Sequence, residues 1–281
     1  MLTSTKELLE SAQQHSYAIG AFNLYNIEGV KAVVNAAEAE NSPAILQILP
    51  NILEYGDSPL VALFLEAADS SKIPMSVHLD HCGDRTTIDT ALDAGVQSIL
   101  ADGSKLSFQE NLAFTREMTA LAHEKGATVE AEVGRISGTE DGMTVAQKDA
   151  KMTDPDQAKE LVAKSGVDFL AVTIGNIHGQ YHHKPQLDFE RLNKIRQQIH
   201  IPLVLHGASG LPPRMIQRSI ELGVCKFNVN TEIRQKYLQF WREYGKKDSQ
   251  LDLLDCQKAA TAAMQEIITE KMRLFGSAGK A

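Results

Sequence analysis

Cysteine is scarce and scattered in this 281-residue chain, where Cys82, Cys225 and Cys256 form no C-x-x-C pair. An odd number of thiols at wide spacing argues against a disulfide framework and a thiolate zinc site, and fits a reducing cytoplasm. A basic block is also missing. The formal net charge of −8 is spread along the chain, leaving no electrostatic footprint for nucleic acid or an anionic membrane. No run of about 18 apolar residues occurs that would span a bilayer. The start, Met1-Leu2-Thr3-Ser4-Thr5-Lys6-Glu7-Leu8-Leu9, has the pattern of an amphipathic helix and not of an export signal. No Gly/Ser linker, low-complexity tract or close repeat marks a second domain, so a single domain over 1–281 is expected, with a small molecule as its partner.

Forty-three per cent hydrophobic content is enough for a full core. Short β-rich apolar runs recur at Tyr17–Phe22, Ala44–Leu49, Met75–Leu79, Ser98–Ala101, Thr128–Val133, Phe169–Ile174, Leu203–Leu205 and Lys226–Val229. Amphipathic helix patterns such as Ile27–Glu40 and Glu110–Lys125 lie between them. Strand–helix alternation implies a parallel sheet, and eight such units close into a (β/α)8 TIM barrel, an α/β fold. A barrel strand is buried on both faces, which accounts for runs that look near-continuously apolar. Residues 232–279 are expected as helices packed outside the barrel. The long polar stretch Gly134–Met152 is expected as a mobile loop after the fifth strand.

Ionisable side chains cluster at or just after the ends of these runs: Asp80 and His81, Asp102, Glu132, His178, His206 and Asn228. In a barrel the C-terminal strand ends converge on one face, so these sequence-distant groups become neighbours. Any one of the histidines alone reads as a hydrogen-bonded strand-end residue. Three at equivalent positions, His81, His178 and His206, suit a catalytic zinc with its fourth position open to substrate. His78 reads as a core or supporting residue, while Tyr181, His182 and His183 are expected in a solvated loop. Asp102 and Glu132 read either as salt-bridge partners, as a second metal position, or as support for the zinc histidines. The turn Gly207-Ala208-Ser209-Gly210 and the segment Asn228-Val229-Asn230-Thr231 fall after strands seven and eight, where barrels commonly hold phosphate.

Motifs along nearly the whole chain resemble the class II, zinc-dependent ketose-bisphosphate aldolases, which include the fructose- and tagatose-bisphosphate enzymes. They are Ala21-Phe22-Asn23, Leu79-Asp80-His81, Asp102-Gly103-Ser104, Glu130-Ala131-Glu132-Val133-Gly134, Gly175-Asn176-Ile177-His178-Gly179, Leu205-His206-Gly207-Ala208-Ser209-Gly210, Asn228-Val229-Asn230-Thr231-Glu232 and Phe275-Gly276-Ser277. The resemblance implies a lyase that reversibly cleaves a phosphorylated ketose to dihydroxyacetone phosphate and an aldehyde. By the same likeness Asp80 is the acid/base, His81, His178 and His206 hold Zn2+, and Asp102 and Glu132 form a second divalent position. Gly179, Gly207, Ala208, Ser209, Asn228, Val229, Asn230 and Thr231 would bind the triose phosphate, backbone carbonyls near Ile177, Gly179, Gly207 and Ser209 a monovalent cation (Na+ or K+), and Glu140 would act as a base on the mobile loop. A cytoplasmic homodimer or homotetramer is expected on the same ground. Where many relatives carry Asp-Pro-Arg, this chain has Asp248-Ser249-Gln250-Leu251-Asp252, so the arginine that would bind a distal phosphate is missing. Cys82 beside His81, where some relatives have histidine, reads as an inert packed thiol. A zinc-dependent hydrolase or isomerase on the same barrel, and a non-catalytic aldolase-like subunit, are the competing readings.

Overall fold

The structure, a computed structural model, describes residues 1–140, 143–145, 150–179, 181, 183–244 and 252–281, with 139, 140 and 143–145 described by backbone alone. Eight parallel strands close into a barrel in chain order: β1 (Ile19–Asn23), β2 (Ala44–Ile48), β3 (Met75–Cys82), β4 (Ser98–Ala101), β5 (Thr128–Val133), β8 (Phe169–Val172), β10 (Leu203–Leu205) and β11 (Val224–Val229), which returns to β1. All eight expected strands are present, although β3 runs three residues beyond its expected end. Helices α2 (Ile27–Glu40), α3 (Pro50–Ser70), α4 (Arg85–Asp93), α5 (Phe108–Glu124), α6 (Pro155–Ser165), α7 (Phe189–Gln198) and α8 (Pro213–Glu221) connect consecutive barrel strands. α9 (Thr231–Tyr244) and α10 (Leu253–Phe275) follow the last strand, and α10 packs chiefly on α2. No helix among the described residues is long and apolar enough to cross a membrane.

Local chemistry marks the helix ends. Ser107 and Glu110 form a reciprocal capping box at the start of α5. Asp154 caps α6, whose first residue is Pro155 and whose end is closed by Gly166 in the left-handed conformation.

Two clusters hold the fold together. Outward-facing strand residues such as Phe22, Leu46, Val77, Ile99, Val129, Leu170, Leu205 and Phe227 pack against the helix ring. Inside the barrel, α1 (Thr5–Gln14) closes the end where the strands begin, setting Leu8, Leu9 and Ala12 against Ile19, Ile45, Phe169 and Val204. Each fully buried side chain of this size contributes roughly 1.5–3 kcal/mol.

The rest of the barrel interior is polar, which corrects the reading of the strands as near-continuously apolar. Gln47, Ser76, His78, Asp80, Ser98, Glu130, Glu132, Lys226 and Asn228 are all buried on strands whose other face is apolar. These strands alternate. Their inward residues are polar because they satisfy one another.

The described residues of the stretch Gly134–Met152 carry strands where a bare loop was expected. β6 (Ser137–Glu140) pairs antiparallel with β7 (Met143–Val145) and parallel with β9 (Ile177–His178), and Arg135 bridges Lys151.

Candidate active site

Strand β3 carries a bulge where the site begins. Leu79 faces Ile99 and Cys82 faces Ala101, so Asp80 and His81 together oppose the single residue Leu100. His81 takes a left-handed φ of 49°, a conformation that costs a residue with a Cβ about 1–2 kcal/mol. One extra residue re-aims the strand, and strain of this kind gathers at functional sites.

The expected histidines meet. The ligand-capable atoms of His81, His178 and His206 lie within 4.8 Å of one another. His206 directly follows β10, whereas His178 sits on β9, outside the barrel strands. Two glycines permit that placement: a Cβ at Gly138 would lie 2.0 Å from the His178 carbonyl, and one at Gly207 would lie 2.0 Å from the Ile177 carbonyl.

Hydrogen bonds select the tautomers. His81 Nδ1 lies 2.8 Å from Asp102 Oδ2, and His206 Nε2 lies 2.8 Å from Glu130 Oε1. A carboxylate accepts, so both of these nitrogens carry the proton. His81 Nε2 and His206 Nδ1 lie 2.9 Å apart in a hydrogen bond that a protonated His81 donates, and loss of that one proton turns both nitrogens' lone pairs on one point. Burial opposes charge on His81, yet Asp80, the Asp102 hydrogen bond and Glu132 outweigh it and hold its imidazole well above the usual range. Burial and the charge of His81 hold His178 and His206 well below it. The site thus favours one positive charge among three nitrogens. A divalent cation meets that condition, and an all-imidazole donor set suits zinc.

Asp102 and Glu132 lie on the other side of His81. Glu132 Oε2 is 4.0 Å from His81 Nδ1, and the atoms of His81, Asp102 and Glu132 form a second group within 4.8 Å. Burial raises and the His81 and Ser104 bonds lower the Asp102 carboxyl, which ends below the usual carboxylate range. Burial and the charge of Asp102 push Glu132 up to about 8.

Asp80 is fully buried and caged. Asn23 Nδ2 donates to Oδ2 at 2.9 Å, Gln47 Nε2 donates to Oδ2 at 3.2 Å, and Asn228 Nδ2 donates to Oδ1 at 3.1 Å. Burial opposes its ionisation, but the charges of His81, His206 and Lys226 and the Asn23 hydrogen bond hold it below the usual range. The arrangement is an oriented, ionised carboxylate beside a cation site.

Sequence reading assigned no role to Asn23, Gln47, Glu130 or Lys226. Charged residues at alternate positions of otherwise apolar strands were the available signal for Glu130 and Lys226. His78, at Nδ1, meets Ser98 Oγ at 2.8 Å and takes a supporting place, as expected.

The glycine-rich turn and the β11 end do approach each other. Gly179, Tyr181, Ser209, Gly210, Thr231 and Glu232 line a cavity of about 300 Å3. Ala208 and Val229 point their side chains into the core, so only their backbone groups face a ligand. Asn228 turns its side chain inward to Asp80, and Asn230 accepts from Tyr25 at 2.8 Å.

Tyr181 is half-buried and not solvated as expected: its hydroxyl accepts from Ile177 N at 3.2 Å and donates to the Gly207 carbonyl at 3.0 Å, tying two site loops together. His182, expected in the same loop, lies outside the described residues, as do 248–251 of the Asp248–Asp252 stretch. Glu140 ends β6, but its side chain is likewise outside them. Burial pushes the Cys82 thiol up to about 11, which suits an inert packed residue.

Comparison with known proteins gives a consistent result. The family model for fructose-bisphosphate aldolase class-II matches residues 3–280. The D-tagatose-1,6-bisphosphate aldolase subunit GatY of Klebsiella oxytoca is 39% identical over 281 residues, covering 99% of each chain. Among solved structures, one assigned to a fructose-1,6-bisphosphate aldolase of Coccidioides immitis superposes with a TM-score of 0.92 at 37% identity, covering 98% of this chain and 97% of that one. The YdjI aldolase of Escherichia coli K12 gives 0.90 at 34% identity, with both chains fully covered.

Proposed function

The chain belongs to the class II fructose-bisphosphate aldolase family, and on that premise we propose that His81, His178 and His206 hold the zinc while Asp80 is the acid/base of a ketose 1-phosphate cleavage. Family membership sets the reaction class as carbon–carbon lyase chemistry, not hydrolysis or isomerisation. The observation that carries the residue assignment is the convergence of His81 Nε2 and His206 Nδ1, 2.9 Å apart, with His178 close by and the thrice-bonded Asp80 carboxylate beside them.

A bound zinc supplies Lewis-acid polarisation of the substrate carbonyl, worth several kcal/mol in such sites. The chain's own residues do the rest. Asp80, kept ionised and oriented by three amide donors, takes the proton of the C4 hydroxyl as the C3–C4 bond breaks, and returns it to the aldehyde oxygen in synthesis. Backbone groups of Gly179, Gly207–Ser209 and Asn228–Thr231, the last at the start of α9, cradle the phosphate of dihydroxyacetone phosphate. Tyr181 keeps the first two of these loops at a constant separation. Glu140, on β6, serves as the base toward the triose phosphate in the synthetic direction. Asp102 and Glu132 would offer, with His81, a second divalent position, and carbonyls around Ile177, Gly179, Gly207 and Ser209 a monovalent one. The whole chain acts as one barrel domain in a cytoplasmic homodimer or homotetramer, checked by light scattering.

The substitution of Asp248–Asp252 for Asp-Pro-Arg supports an acceptor aldehyde without a distal phosphate. Cleavage of fructose 1,6-bisphosphate, tagatose 1,6-bisphosphate and ketose 1-phosphates, followed by release of dihydroxyacetone phosphate, tests both claims. Preference for the monophosphates supports this acceptor. Faster cleavage of either bisphosphate contradicts it.

A further inference from the structure

We propose that Lys226, fully buried inside the barrel, is a positioning residue that sets the direction of hydrogen bonding at the metal ligands and at the acid/base together. The inference rests on the assignments of His206 as zinc ligand and Asp80 as acid/base.

An ammonium has three donors and no acceptor, so whatever it touches must accept. Lys226 Nζ contacts two groups, Glu130 Oε2 at 2.9 Å and Asn228 Oδ1 at 2.7 Å. Consider the first arm. With Oε2 engaged by the ammonium, Glu130 turns Oε1 to His206 Nε2 at 2.8 Å. That bond places the proton on Nε2 and leaves the Nδ1 lone pair aimed at the cation site, 2.9 Å from His81 Nε2. In the second arm, Asn228 has an amide that either end-for-end orientation would fit sterically. The ammonium decides between them: Oδ1 must face Lys226, so Nδ2 faces Asp80 Oδ1 at 3.1 Å and donates. Reversed, the amide would set its oxygen against the Asp80 carboxylate.

A continuous buried chain therefore runs His206, Glu130, Lys226, Asn228, Asp80, and its direction is dictated from the centre. His78 borders it, with Nε2 3.7 Å from Glu130 Oε2. A plain structural ion pair would hold the barrel together without distinguishing the two arms. A positioning residue at the branch point predicts separable effects.

The test uses the full-length protein and its K226M, E130Q and N228A variants. Zinc affinity is measured by competition with a chromophoric chelator, and ligand-field geometry by the visible spectrum of the cobalt-substituted protein. Turnover is measured at saturating zinc on the best ketose phosphate. E130Q and K226M should weaken zinc binding about 10- to 100-fold and alter the cobalt spectrum, whereas N228A should leave zinc affinity within about threefold and lower kcat more than it raises KM. K226M should show both defects. Unchanged zinc affinity in folded K226M overturns the proposal, and so does an N228A variant that loses zinc as E130Q does. If circular dichroism shows K226M unfolded, E130Q and N228A decide the matter by the same contrast. Failure of the underlying assignment looks different: the unaltered protein would bind no zinc, or H206A would bind it as tightly as the unaltered protein.

Discussion

The two ends of the barrel interior are built from opposite chemistries on the same strands. Where the strands begin, Ile19, Ile45, Phe169 and Val204 meet the apolar face of α1. Two to four residues further along β1, β2 and β10 the inward positions are Asn23, Gln47 and His206, which gather with Asp80, Glu130, Lys226 and Asn228 of the other strands. The first end gains stability from burial. The second holds buried charges that persist only because each is paired, an arrangement weak as a source of stability but strong in fixing geometry. Stability and chemistry are thus assigned to different ends of one core, and substitutions at the two ends should fail in different ways.

The largest effect is expected at the polar end. H206A removes one of three proposed ligands and should lower kcat/KM by about 1000-fold or more, given the several kcal/mol supplied by a Lewis acid. Zinc content measured by atomic absorption should fall with it. At the apolar end, F169A should cost about 3–5 kcal/mol of unfolding free energy in urea. Its zinc affinity should stay unchanged. Equal loss of zinc in both variants would erase the distinction.

A third expectation concerns pH in the chelated protein. Glu132 has its folded value raised to about 8 from an ordinary 4.5, so the folded state holds more protons than the unfolded state between those values. Its contribution to stability is present at low pH and is lost as pH rises through that window. Melting temperatures of E132Q should therefore fall less steeply from pH 5 to pH 8 than those of the parent. A parallel decline in both proteins would contradict the assignment.

The smallest effect belongs to neither end. Gly166 closes α6 with a φ of 75°, and a Cβ there meets nothing nearer than Thr119 Cγ2 at 3.9 Å. G166A should cost about 1 kcal/mol from backbone strain alone, with turnover and zinc content unaltered.

The strand positions could be read from sequence because apolar β-rich runs alternate with helix patterns. Asp102 and His206 stood out because each directly follows such a run. The inward polar residues were harder. Gln47 and Lys226 interrupt apolar strands, but what each satisfies depends on partners brought by barrel closure, 24 residues away for the bond from Gln47 to Asn23 and 96 for that from Lys226 to Glu130. The bulge at Asp80 and His81 was invisible for a related reason: a bulge is a property of register between two strands, not of either alone. Tyr181 looked like a loop residue because its two partners are backbone groups, which leave no trace in side-chain pattern.

The central claim is that the polar end is a zinc aldolase site. It is tested most directly by stripping the protein with a chelator and titrating zinc back while following dihydroxyacetone phosphate release from a ketose 1-phosphate. Activity returning in proportion to zinc, and saturating at one equivalent per chain, is the predicted result. Turnover that persists in metal-free protein, or that zinc fails to restore on any ketose phosphate, would contradict it.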